Sequence, residues 1–587
     1  MGQYEFMAIK SRSPFTRKAE KLLEQKNYKK LKNFLKQFPP ELDQAASEYN
    51  LRMLADMLDW KSLSAAFDVY LAQYDRVNLE NLETACRLKV DRGEYDKAIA
   101  IADRILTDDP KNHVAVNAIY GSHAHRGNWQ GSYHAAKAMY DTWVDDSESK
   151  ARIVEAQSKV VIACAMTARY AEGSSRWDQI KPDLKDYQYL MSSEHFAGAL
   201  RCYVSIGRID DAVDLLQGLD PTIRSHPNVQ STIPGIWFAK RDKEQTIQAY
   251  QDALDSGVDI VEVVWNRGLA RLGFGDQREG FEDYEIRWKW KDFPSAKRIF
   301  STPLWMGEDL TDKRILVWGE QGVGDQLLFL TQLPCVLNKN PKEVIVEVSQ
   351  KLVPLVTRWY PEVTVRYDRA DDENKDTIGM PLYDELDYNI PAGTLPLRMV
   401  EQHGKIIPCT RQLRVPESAK ARLYPEQIAD KEILLGVSWR SHLINDARVG
   451  NYLSVDGIEK ILEILPDNVG VIILQYSLAD GEAERLAQFP NIFIPEQDFF
   501  ENVDMNALYA GTCDFILSSG TATVQLAGIY GVPLLTWLPY GDWVTLGETK
   551  RYPWFSNMLM ILGESNWDNT TMLYELIDKL KIFLRIK

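Results

Sequence analysis

Ile315-Leu316-Val317-Trp318-Gly319-Glu320-Gln321-Gly322-Val323-Gly324-Asp325 joins an apolar run to a helical pattern through closely spaced glycines. Far downstream, Phe515-Ile516-Leu517-Ser518-Ser519-Gly520-Thr521-Ala522-Thr523 does the same. A strand that turns through glycine into a helix leaves unpaired backbone N–H groups at the positive end of the helix dipole, where a phosphate or a reacting hydroxyl can sit. Two such turns predict two nucleotide-binding-type α/β domains facing one cleft.

Around these turns, short β-type runs alternate with helix-length intervals. Residues 314–318, 343–348 and 363–367 form one set; residues 433–439, 471–474, 492–494, 515–517 and 532–537 form a second. Such alternation is the pattern of parallel βαβ units. The polar stretch 414–431, with Pro416 and Pro425, predicts the boundary between the sets. The acidic stretch 368–376 reads as a solvated loop, and Ile390-Pro391-Ala392-Gly393-Thr394-Leu395-Pro396 as a turn shaping the cleft edge. The last helix, 571–584, is expected to cross back onto the first α/β domain.

Upstream, residues 13–290 are rich in Ala, Leu, Lys, Glu and Arg at helical spacing. Gly93 and Gly127 stand 34 positions apart in matching turns, the period of a tetratricopeptide repeat. In the clearest unit, Leu88, Gly93, Tyr95, Ala98, Ala102 and Pro110 fit: small residues let two helices approach, the aromatic fills the gap, and proline ends the second helix. Worn units surround Asn27-Tyr28, Asp59-Trp60, Gly207-Arg208-Ile209 and the stretch carrying Gly268, Gly280 and Tyr284. About six to eight units are expected. A stacked helical array offers a surface that grips peptides or whole proteins; dimerisation, or bracing of the second half, is the alternative use.

The chain has 587 residues and a formal charge of -16, with 68 Lys plus Arg against 84 Asp plus Glu. That length predicts several cores, and the acidic balance argues against nucleic acid as a partner. The six cysteines, Cys86, Cys164, Cys202, Cys335, Cys409 and Cys513, lie far apart, which predicts buried thiols rather than a disulfide framework or zinc site. No apolar run is long enough for a membrane span, residues 1–12 lack a signal-type core, and position 6 is Phe where myristoylation wants Ser or Thr. A cytoplasmic protein is expected.

The block 318–325, the later Gly436-Val437-Ser438-Trp439-Arg440-Ser441, Leu474-Gln475-Tyr476, and Ser519-Gly520-Thr521-Ala522-Thr523-Val524-Gln525-Leu526-Ala527-Gly528 with Gly531-Val532-Pro533 together resemble tetratricopeptide-repeat-linked glycosyltransferases. Their catalytic half is similar to the heptosyltransferase group and, in architecture, to the O-GlcNAc transferases. The resemblance implies an α-solenoid followed by an α/β GT-B pair of Rossmann-like domains. The divisions are 1–295 for the repeats, 296–420 for the acceptor-side domain and 421–587 for the nucleotide-sugar domain. The chain departs from that pattern where the group carries Asp and His: Ser519 or Gly520 and Gln525 stand there, which leaves the donor open.

Sugar transfer needs a grip on the leaving phosphate, a base for the acceptor's proton, and orientation between them. Ser518, Ser519, Gly520, Thr521, Ala522 and Thr523 are read as the phosphate turn, an ordinary N-cap being the alternative. Arg440, flanked by Trp439 and Ser441, and Arg448, further beyond the same run, supply guanidinium forks, or else are surface arginines. Gln475 and Tyr476 are read as base or ribose contacts, Glu482 as a ribose ligand or a solvent-facing helix carboxylate, and Gln525 as part of the donor set. Gly322 and Gly324 let substrate approach the backbone. Asp325 is the choice for general base, which the resemblance supports, with Glu320 competing and an N-cap role for Asp325 as the alternative. The loop 537–543 is read as cleft lining. No Asp-x-Asp or histidine pair points to a metal, and no cofactor is expected beyond the nucleotide sugar as substrate. The expectation is a metal-independent, inverting transferase acting on Ser or Thr of a protein held by the repeats, flagellin being a candidate by analogy, with a possible homodimer. Transfer to lipopolysaccharide or another glycan, and a non-catalytic scaffold, are the rivals.

Overall fold

The computed structural model describes residues 14–37, 44–144, 150–291, 293–295, 297–367, 386–423, 428–441, 452–563 and 569–584. Arg448 and the acidic stretch 368–376 lie outside them. The chain forms two compact units, Met1–Cys202 and Tyr203–Lys587.

Helices come in pairs whose connecting turns share one geometry. The second helices begin at Tyr28, Trp60, Tyr95, Trp129, Tyr170, Ile209, Lys243 and Gln277. Two places before each stands a left-handed residue: Lys26, Leu58, Gly93, Gly127, Ala168, Gly207, Arg241 and Gly275, with φ from 51° to 90°. That conformation lets the next amide reach back five residues, as Glu94 N donates to Lys89 O at 2.8 Å and Asp276 N to Arg271 O at 2.8 Å, closing carbonyls that a helix end leaves open. Asn27, Asp59 and Asn128 then cap the second helix with their side chains. Ala98, Ala102, Ala115 and Ala136 are fully buried where helices meet. All six cysteines are buried and unpaired with one another.

Among the described residues, the second unit carries two wholly parallel sheets. The first contains β1 (Arg314–Trp318), β2 (Glu343–Val348), β3 (Thr364–Tyr367) and β4 (Tyr388–Pro391) in the order β3-β2-β1-β4. The second contains β5 (Ile433–Ser438), β6 (Val469–Ile473), β7 (Ile492–Phe493), β8 (Phe515–Ser519), β9 (Leu534–Pro539) and β10 (Met558–Gly563) in the order β10-β9-β8-β5-β6-β7. Two strands differ from the sequence expectation: β4, whose end falls in the expected turn 390–396, and β10, for which no strand is expected. The final helix, Asn569–Leu584, packs Met572, Leu573, Leu576 and Leu580 against Leu435, Val437 and Leu517 of the second sheet, so the expected crossing onto the first domain is corrected. Its apolar face finds the nearer sheet. No helix among the described residues is long and apolar enough to cross a membrane.

The helices from Ile233 onward belong to the same unit as the sheets. Gly273, at the end of helix Ile260–Gly273, lies so close to the loop after β9 that a Cβ there would stand 2.1 Å from Gly541 O. Phe281 and Tyr284 share a core with the first sheet and with Trp554.

Candidate functional site

In a parallel sheet, a crevice opens at the strand ends where the winding reverses direction. In the first sheet that point lies between β1 and β4, so the residues beyond them, Gly319 to Gln321 and Ala392 to Thr394, flank it. In the second it lies between β5 and β8, beyond which stand Trp439-Arg440 and Gly520-Thr521. The two glycine turns meet: a Cβ on Gly324 would lie 3.4 Å from both Cα and Cβ of Ala522. Each turn thus ends at a reversal point, and the two helices they open abut.

In the first turn, Gly319 N donates to Glu347 O at 2.7 Å, Gln321 adopts φ 63°, and helix Val323–Leu330 starts behind Gly322. Asp325 Oδ2 accepts the Gly322 amide at 3.1 Å, so this carboxylate caps its own helix while keeping part of its surface exposed. Glu320 points inward. Its side chain has no exposed surface and binds the equally buried Arg287, Nε to Oε1 at 2.8 Å and Nη2 to Oε2 at 3.0 Å. Burial lifts the Glu320 carboxyl above its ordinary range against the pull of Arg287. The guanidinium is driven above its own range by Glu320 and Glu285, which outweigh its desolvation. The two shifts pull opposite ways on proton ownership. The two-pronged geometry is that of an ionised pair, since each carboxylate oxygen accepts a guanidinium N–H.

In the second turn, helix Ala522–Tyr530 begins after Thr521, whose side chain makes no cap bond. Ser518 Oγ lies 3.4 Å from Thr521 Oγ1 and donates to Ser519 O at 2.8 Å. The buried Ser519 Oγ and Thr523 Oγ1 have no partner among the described residues. Gln525 is buried against Tyr552, with Nε2 and the hydroxyl 3.3 Å apart; with its amide turned over, it also donates to Thr521 O.

Arg440 is buried and its Nη2 contacts Glu482 Oε2 at 2.5 Å, so this guanidinium already has a carboxylate. Glu482 is buried with it, which removes the solvent-facing alternative. Gln475 Oε1 accepts from Trp439 N at 3.0 Å and Arg440 N at 3.2 Å, while its Nε2 donates to Arg440 O at 2.9 Å. Gln475 therefore laces the end of β6 to that of β5. Ser441 Oγ accepts from Tyr452 Oη at 2.8 Å, and Tyr476 lies 6.5 Å from the Phe500 ring.

The loop after β9 joins the same region. Trp543 stacks on Tyr284 with centroids 5.9 Å apart, and Asp542 Oδ1 accepts from Val544 N at 3.1 Å. Desolvation lifts the Asp542 carboxyl although the residue keeps some exposed surface. Burial likewise raises the Tyr552 hydroxyl, with the negative charges of Asp542 and Asp325 adding to the shift. Arg287 and Tyr552 escape the sequence reading, which places Thr394 only in a turn at the cleft edge. The only sign of Arg287 was a lone cation between Tyr284 and Trp288 at the end of the last repeat.

Fold and site together define a chain of paired helices followed by two parallel-sheet lobes whose glycine turns adjoin. No family model matches the chain. Protein FlbA of Caulobacter vibrioides is 25% identical over 385 residues, an alignment covering 62% of this chain and 63% of FlbA, so the chain spans less than two thirds of that curated relative. Among solved structures, the ADP-heptose lipopolysaccharide heptosyltransferase II of E. coli is 14% identical, with 46% of this chain and 99% of that one covered and a TM-score of 0.34. The O-GlcNAc transferase of Thermobaculum terrenum is 13% identical, with 80% and 92% covered and a TM-score of 0.24.

Proposed function

We propose that the chain transfers a sugar from a nucleotide-activated donor, with the donor phosphate at the second glycine turn and the acceptor hydroxyl beside the first. The observation that carries this reading is the apposition of Gly324 and Ala522 at the reversal points of two parallel sheets. The amides opening helix Ala522–Tyr530 face no side-chain cap, which suits an anion. Asp325, half-buried at the opposing turn, takes the acceptor's proton as the acceptor oxygen attacks the sugar carbon and the bond to phosphate breaks on the far side, inverting that centre. Glu320, sealed by Arg287, has no path to a substrate and serves as an anchor. Arg440 sets the β5 end through Glu482 and Gln475 rather than standing open to phosphate. No metal is required by this scheme, because the helix amides receive the leaving charge. The acceptor we infer is a Ser or Thr hydroxyl of a protein held by the helical repeats, flagellin among the candidates.

A panel of nucleotides and nucleotide sugars in a thermal-shift assay tests the donor half, since a ligand at 100 times its dissociation constant stabilises by about 2.7 kcal/mol. Asp325→Asn tests the base: turnover should fall by about 10²- to 10⁴-fold with nucleotide binding retained. Full turnover in that variant would remove Asp325 from the mechanism, and a panel with no stabilising nucleotide would favour a non-catalytic scaffold.

A further inference from the structure

We propose that Arg287, with Tyr284 and Ser295, is a positioning device through which the end of the helical repeats sets the turn bearing Asp325. The idea rests on the transferase reading for its kinetic consequence, but not for its structural one.

The turn does not hold itself. Gln321 sits at φ 63°, a backbone conformation that side-chain-bearing residues rarely adopt, and it persists because neighbours fix it. Its amide donates to Ser295 Oγ at 2.6 Å and its Nε2 to Tyr284 Oη at 2.5 Å. The preceding Glu320 is clamped by Arg287. Arg287 also donates to Thr394 Oγ1 at 3.0 Å and Glu285 Oε1 at 2.8 Å, and Thr394 donates to Glu285 at 2.8 Å. One guanidinium therefore fills the reversal point of the first sheet, tying the segment beyond β1 to the one beyond β4. Gly393 makes the room, because a Cβ there would lie 2.2 Å from Glu320 Oε1. Both Tyr284 and Arg287 come from the last helical pair and the turn that follows it, Gln277–Tyr284 and Glu285–Lys289. Asp325 lies five positions after the clamped Glu320, with Gly322 and Gly324 between them, so losing the clamp frees the segment that aims the base.

The test uses the full chain with Tyr284→Phe and the double variant Arg287→Met/Glu320→Met. The double change removes both buried charges at similar volume, which buried ion pairs commonly tolerate, whereas either single change would strand a charge. Tyr284→Phe deletes one hydroxyl and leaves the ion pair intact, so it gives a reading even where the double variant does not fold. Hydrogen exchange should quicken on the order of tenfold at the amides of residues 319–326 and stay unchanged at 520–526. The turnover number should fall on the order of 10²-fold, as for a base displaced by about 1 Å, with the donor KM within about twofold of wild type. Unchanged exchange at 319–326 in folded variants would overturn the proposal. A wild-type chain without turnover would sink the transferase reading, while the exchange comparison would still decide this one.

Discussion

A carboxylate's chemistry is decided by what already occupies its oxygens. Glu320 and Asp325 stand in the same glycine turn, yet both oxygens of Glu320 are taken by a buried guanidinium, while Asp325 gives Oδ2 to a neighbouring amide and keeps exposed surface. The same principle separates Arg440 from a free phosphate ligand. Glu482→Gln leaves Arg440 charged and buried without its partner, a change that should cost about 3–5 kcal/mol of stability, read from the urea midpoint. His195 offers a second test. Its Nδ1 accepts the Ser192 amide at 3.0 Å, and burial, reinforced by the positive charge of Lys159, lowers the ring to about 4 against the weaker upward pull of Glu155. The unfolded chain binds this proton near pH 6.5 and the folded chain near pH 4, so stability falls as pH drops through that window. The loss amounts to about 3 kcal/mol. Glu155, held down to about 2 despite its burial chiefly by His113 and Lys159, adds its own loss only below the ordinary carboxylate range. Between pH 6.5 and 4.5, His195→Gln should flatten the thermal-midpoint profile; an unchanged slope would assign it elsewhere. At this scale, residue types were legible in the sequence, and partners were not. Arg287 and Glu320 are 33 positions apart, Arg440 and Glu482 42, and no local pattern records such a pairing.

Among the elements, the glycine-bearing turns of the repeats were visible, whereas the worn copies were not visibly the same turn. Lys26, Leu58, Ala168 and Arg241 take the conformation that Gly93 and Gly127 take freely. Holding a left-handed non-glycine residue costs about 1–2 kcal/mol, offset partly by glycine's greater loss of freedom on folding. Leu58 is 64% exposed, so Leu58→Gly sacrifices little packing and should stabilise the chain by about 0.5–1 kcal/mol in a denaturant titration. The same change at a helical site, Leu63→Gly, should strongly destabilise it. The strands that escaped sequence reading are the edge strands β4 and β10. β4 is four residues long and ends in Pro391, which an edge tolerates because it need not donate on both sides. β10 is built on Met and Leu rather than β-branched residues, and its burial does not alternate, so neither period nor composition marks it.

For the molecule as a whole, the change from helices to sheets near residue 295 is a change of secondary structure within one compact unit that starts at Tyr203. Helix Ile260–Gly273 meets the loop after β9 backbone to backbone, Gly275 meets Leu546 and Gly547, and Arg241 lies 3.9 Å from the Tyr540 ring centroid. Tyr284 stacks on Trp543, Phe281 packs edge-on to Trp554, and Arg287 neutralises the buried Glu320. Cutting at 296 would uncover those aromatics and strand a buried carboxylate; cutting at 203 keeps every one of these contacts. A chain of residues 203–587 should therefore elute as a compact species, melt cooperatively and retain any nucleotide-induced thermal shift. A chain of residues 296–587 should aggregate or bind a hydrophobic dye. Equal behaviour of the two, compact and cooperative, would mean that the terminal helices merely rest on the lobes, and that the repeat end has no hold on the turn carrying Asp325.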